Sequence, residues 1–127
     1  MISVKNLFDA VETTDGQRIW VESHGLTSDL QEWCKIDALA CHFGPSPRLT
    51  EWFEEHPDGY EHFRGNYHAM LAVSRFLPLL QQLAQAAQNS NVTLVHQSDD
   101  PGQNTGTALF EFLIELQAYF PPQEQNG

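Results

Sequence analysis

The chain has 127 residues, with 17 Asp plus Glu against six Lys plus Arg and a formal net charge of -11. At this length roughly two-thirds of the unfolded surface can be buried, so one compact domain is expected and neither a metal nor a disulfide is needed to hold it together. So acidic a chain repels nucleic-acid phosphates, and its uncharged interval between Arg75 and Asp99 is too rich in Gln, Asn and Pro to span a bilayer; neither nucleic acid nor a membrane is an expected partner.

The first residues, MISVKNLFDAVETTDG, carry acidic and polar side chains where a secretory signal needs a continuous apolar run. A cytoplasmic location is therefore the expectation. It agrees with Cys34 and Cys41 being free thiols, since two cysteines without a disulfide framework belong to a reducing compartment.

Ser3 to Phe8 alternates weakly and predicts a first strand; Arg18 to Val21, after the turn pair Asp15-Gly16, predicts a second. From Ser28 to Phe43, Leu30, Trp33, Ile36 or Asp37, and Ala40 recur at helical spacing behind a Thr27 or Ser28 cap, which predicts one helix stopped by Gly44-Pro45. Ser46 then caps a short helix with Pro47 in its first turn, burying Leu49, Trp52 and Phe53. The stripe Tyr60, Phe63, Tyr67, Met70, Leu71 and Ser74 marks a longer helix opened by Asp58. Pro78 predicts a kink or a fresh helix start, followed by a helical segment to about Gln88, whose Gln81, Gln85 and Gln88 form an uncharged outer face suited to a homo-oligomer contact.

Val92 to His96 is β-branched and uncharged, the pattern of a strand buried on both faces of a parallel sheet. Leu109, Phe112, Leu113, Leu116 and Phe120 define the buried face of a last helix, and residues 121–127 read as a flexible tail behind a single domain of residues 1–120. Strand, helices, strand, helix implies an α/β sandwich of Rossmann-like type with an at least partly parallel sheet and flanking helices. Ligands of such sheets bind beyond the carboxyl ends of the strands, where the loops Glu22 to Asp29 and His96 to Thr105 emerge if their strands are parallel.

The second loop holds the candidate chemistry. Asp99 and Asp100 have the oxygen ligands and proton-accepting capacity that hydrolysis uses, but neighbours in an extended segment point to opposite sides. Their structural alternative is an Asx-turn on Pro101-Gly102, followed by Asn104 or Thr105 as helix cap. Gly102 and Gly106 flank a helix start that favours anions, yet neither a dinucleotide fingerprint nor a P-loop is present, so no cofactor is expected. His56, His62 and His68 recur in steps of six, which rotate by about 240° around a helix and share no face; no metal site is expected. Arg64, His68 and Arg75 do fall on one stripe, either a ligand surface or a solvated face paired to nearby Glu.

Three stretches, DGQRIWV, PSPRLTEWFEEHPDGYEHFRGNYHAML and VTLVHQSDDPGQNTGTALFEFL, in that order, resemble the small YeaO-like bacterial proteins of the DUF488 family. The resemblance spans most of the chain and implies an intracellular Rossmann-like domain, without supplying a reaction. Arg64, Asp100 and Asn104 keep the family's pattern. Departures surround them: ESHGLTSD stands where the family has Asp-Arg-Leu-Trp-Pro-Arg-Gly, and Met70 replaces a Glu. His96, Gln97-Ser98 and Asp99 replace an aromatic, small residues and a basic residue, and Thr105 replaces a His. The resemblance thus implies a divergent member that has lost basic and titratable groups around its crevice, with Arg64, His96, Asp99, Asp100, Asn104 and Thr105 as candidate ligand residues. Three functions follow as expectations: a binding or structural domain with reduced or no catalysis, acting on a small molecule or protein; a small hydrolase or glycosidic-bond enzyme using Asp99 or Asp100; and an acidic protein-interaction module.

Overall fold

The computed structural model describes residues 1–119, so Phe120 and the tail expected at 121–127 lie outside the described residues. Four parallel strands pair in the order β1-β4-β2-β3: β1 is Ile2–Asn6, β2 Gln17–Trp20, β3 Ala38–Leu39 and β4 Val92–His96. Helix α1 spans Ser28–Trp33, α2 Pro47–Glu55, α3 Tyr60–Ala72, α4 Leu77–Ala86 and α5 Thr105–Tyr119. The fold is the expected α/β sandwich, and all five residues of β4 are buried between its neighbours.

Successive strand residues point to opposite faces, and they sort the core into two clusters. Ile19 and Leu94 face α3, α4 and α5, where Phe63, Tyr67, Leu80, Leu109 and Leu113 close the main core. Trp20 and Val95 face the other way, against Leu7 and Cys34, with Leu30 and Ile36 of the α1 region packed around them.

The helix expected from Ser28 to Phe43 is shorter than its periodicity suggests. Thr27 caps it, as anticipated, by accepting from Leu30 N. Lys35 then turns left-handed at φ 55° and ends it, and Trp33 is left 83 % exposed. The backbone instead pairs with β2: Asp37 N donates to Arg18 O at 2.9 Å and Ala40 N to Trp20 O at 2.8 Å. The edge of β2 away from β4 supplies the partners those backbone groups need. A second correction concerns α3, whose N-cap is Gly59 rather than Asp58. The Trp52 ring packs so close to Gly59 that a Cβ would lie 2.5 Å from it, which favours glycine there.

Ser46 caps α2 through Leu49 N, and Pro78 sits in the first turn of α4, both as expected. Cys34 and Cys41 are free.

The stripe of Arg64, His68 and Arg75 does not stay together. Arg64 donates to Glu111 of α5 at 2.6 Å and to Glu61 at 3.3 Å, while the Tyr60 hydroxyl donates to the other Glu111 oxygen at 2.7 Å. His68 Nε2 bonds Ala108 O at 2.7 Å, and Arg75 lies over the Phe76 ring. Arg64 therefore clamps α3 to α5. Burial alone would raise the Glu111 carboxyl, but the Tyr60 and Arg64 hydrogen bonds outweigh it and hold the group below its ordinary range.

At the opposite end of the sheet Asp15, 4 % exposed, accepts from Lys5 Nζ of β1 and Arg18 NH1 of β2, each at 2.7 Å. Thr93 of β4 donates its hydroxyl to Asp15 O at 2.8 Å. Gly16 follows at φ 62°, and a Cβ there would lie 2.0 Å from Asn91 O.

Two outcomes are expected. Asp15→Asn leaves Lys5 and Arg18 without their shared carboxylate; because Lys5 also reaches the exposed Glu12, the cluster lies near solvent, and denaturant melts should show a loss of about 2 kcal/mol, below the range for a fully enclosed pair. For Glu111 the folded pKa lies below the unfolded one, so its stabilising contribution is complete above the unfolded value and is lost as pH falls through the folded one. The stability difference between wild type and Glu111→Gln should accordingly be constant near neutrality and shrink in the acid limb of pH-dependent melts.

Candidate functional site

The chain leaves β2 toward α1 on one face of the sheet and leaves β4 toward α5 on the other. Adjacent strands whose continuations part in this way open a crevice at their carboxyl ends, the usual ligand position of open α/β sheets. A cleft of about 480 Å³ lies there. Glu22 and His24 line it from the loop after β2, Gln97 to Asp100 with Gln103 to Thr105 from the loop after β4. Thr50, Phe53 and Glu54 of α2, Pro57 and Phe63 close the far wall, the Phe53 and Phe63 rings stacked at 4.4 Å.

Four of the six candidate residues, Asp99, Asp100, Asn104 and Thr105, line this cleft. Arg64 does not, being held at the α3–α5 contact. His96 lies beneath the loop, 2 % exposed. Its Nδ1 accepts from Ser98 N at 3.0 Å, which assigns the proton of the neutral ring to Nε2. Burial pushes this imidazole below its ordinary range against the opposing pull of Glu22 and Asp9.

Several of the loop's backbone amides are engaged by the protein's own side chains. Glu22 Oε2 crosses from the neighbouring loop to accept Gln97 N at 3.2 Å. Ser98 Oγ accepts Asp100 N, and Asp100 Oδ1 accepts both Gly102 N at 2.9 Å and Gln103 N at 3.0 Å, the Asx-turn expected for this segment. Asn104 caps α5, its Oδ1 accepting Thr107 N at 2.8 Å while its Nδ2 donates to Asp100 O. Gly106 lets the start of α5 press onto the sheet: a Cβ there would meet Val4, Asn104 and His96 at 3.0 to 3.1 Å.

Asp99 and Asp100 both line the cleft, in a bent rather than an extended segment. Both are exposed and neither forms an ion pair among the described residues, but Asp100 Oδ1 accepts the turn amides and Asp99 does not. Glu22, Thr50 and Glu54 escaped the list of candidates. Thr50 and Glu54 carried a local signal, the i, i+4 spacing that puts both on one face of α2; Glu22 carried only its place after a strand.

No group of three or more His, Cys, Asp or Glu among the described residues is placed to hold a metal ion. No described helix is long and apolar enough to cross a membrane. No curated protein and no solved structure matches the chain. The family model of the inactive DUF488-N3 subclade, in contrast, matches residues 1–124, a span that includes every strand, both cleft loops and the Arg64 clamp. This chain belongs to the DUF488 family, within its inactive N3 subclade.

Proposed function

We propose that this domain is a non-catalytic binding module of the reducing cytoplasm, in which the strand-end crevice holds a partner group without transforming it. One observation carries the reading: three of the amides that an α/β crevice commonly turns toward an anionic substrate are occupied by the protein's own carboxylates, Gln97 N by Glu22, and Gly102 N and Gln103 N by Asp100. A substrate anion would have to displace a built-in one that pays no association cost. Membership of the inactive subclade supports the same reading, and the free thiols Cys34 and Cys41 support the compartment.

The rival reading, a hydrolase using Asp99 or Asp100 as base, has less behind it. Asp100 is committed to the turn, and the guanidinium of Arg64 is engaged elsewhere by Glu111 and Glu61.

Stability measurements separate the two. As turn and cap residues, Asp100→Ala and Asn104→Ala should each lower stability by about 1 kcal/mol in denaturant melts. Inorganic phosphate should produce no saturable heat in titration calorimetry. A clear stabilisation by Asp100→Asn, the mark of a carboxylate kept for chemistry at stability's expense, would overturn the proposal.

A further inference from the structure

Four carboxylates, those of Glu22, Glu54, Asp99 and Asp100, line the cleft, and none of the chain's six Lys and Arg side chains does. None of the four takes part in an ion pair among the described residues. Glu22 and Asp100 are partly compensated by loop amides, which leaves Glu54 and Asp99 as the uncompensated charges. A second observation is independent of charge. Thr105 is 7 % exposed and lines the same cleft, and its hydroxyl, open to the cleft, has no hydrogen-bond partner among the described residues. Opposite these polar groups the wall is apolar, made by Phe53, Pro57 and Phe63.

We infer that the cleft binds an organic cation: an ammonium or guanidinium group on a short apolar stem. The stem lies against Phe53 and Pro57, and the cationic N–H groups donate to Glu54, Asp99 and the Thr105 hydroxyl oxygen. A volume of about 480 Å³ suits such a group better than a bare ion, and no three metal-ligating side chains converge there among the described residues. The assignment rests on the binding role proposed above and names its ligand class. The same chemistry is offered by a free aliphatic polyamine and by the Arg or Lys side chain of a partner protein.

The test is calorimetric titration of the full chain at low salt with agmatine, and separately with a blocked Gly-Arg-Gly tripeptide, alongside amide NMR shifts. Saturable binding of either, with shifts at Asp99, Asp100 and Thr105, is expected. Glu54→Gln and Asp99→Asn should each weaken it about fivefold, the scale of one solvent-exposed ion pair. Both positions are exposed, so these variants fold even if Thr105→Val, which should also weaken binding, does not. Glu115→Gln, on the exposed part of α5 outside the cleft, should leave affinity unchanged. Tighter binding of agmatine identifies a free amine as the source, and tighter binding of the tripeptide a partner's side chain. Absence of saturable binding by both probes, or a loss in Glu115→Gln equal to that in Asp99→Asn, overturns the inference. Phosphate binding would instead defeat the capped-amide reading, so the two failures are distinguishable.

Discussion

The Asp15 carboxylate bridges two strands that are not neighbours. Lys5 of β1 and Arg18 of β2 meet it from either side of β4, and the Thr93 hydroxyl of β4 reaches its backbone carbonyl from the slot between them. Burial alone would raise the Asp15 carboxyl, but Lys5, the Glu12 amide and Arg18 together hold it ionised below its ordinary range. One anion thus ties β1 to β2 across β4, the strand whose backbone pairs with both and fixes their spacing. The crevice at the far ends of β2 and β4 depends on their adjacency. A buried pair of this kind contributes little net stability compared with an apolar replacement, but it penalises arrangements in which the charges separate. The cluster is not perfectly closed, since the Arg18 NH2 group makes no hydrogen bond among the described residues.

At the crevice the same chemistry is used to a different end. Loop amides at the end of a strand and the start of a helix are natural anion holders. Here six of those amides find acceptors within the chain, from Glu22, His96, Ser98, Asp100 and Asn104. The donors so used hold the loop's own shape and are withdrawn from an incoming anion. What remains directed outward is negative charge and one hydroxyl.

Much of this was legible in the sequence wherever the determinant was local. The uninterrupted β-branched run identified β4, and Asp-Pro-Gly followed by Asn-Thr identified the turn and cap before α5. Long-range determinants were not legible. Leu30, Trp33 and Ala40 share a helical period, but the two residues of β3 form a strand only because β2 lies beside them, which no local pattern encodes. Arg64 read as a ligand candidate because its partner Glu111 lies 47 residues away. Glu22 and Glu54 entered the cleft through the packing of separate loops and helices, without a motif to announce them.

The strand order has a consequence for how the molecule comes to be folded. Residue 2 pairs with residue 92, so the central strand is the last one synthesised while both of its neighbours are among the first. Loop closure over such a separation slows folding. Until β4 arrives, the facing edges of β1 and β2 stay open to pairing with any other chain, which is the usual route to aggregation. A net charge of -11 makes every nascent copy repel every other during that interval. The acidity of the sequence therefore protects the unfinished sheet as well as colouring the finished cleft.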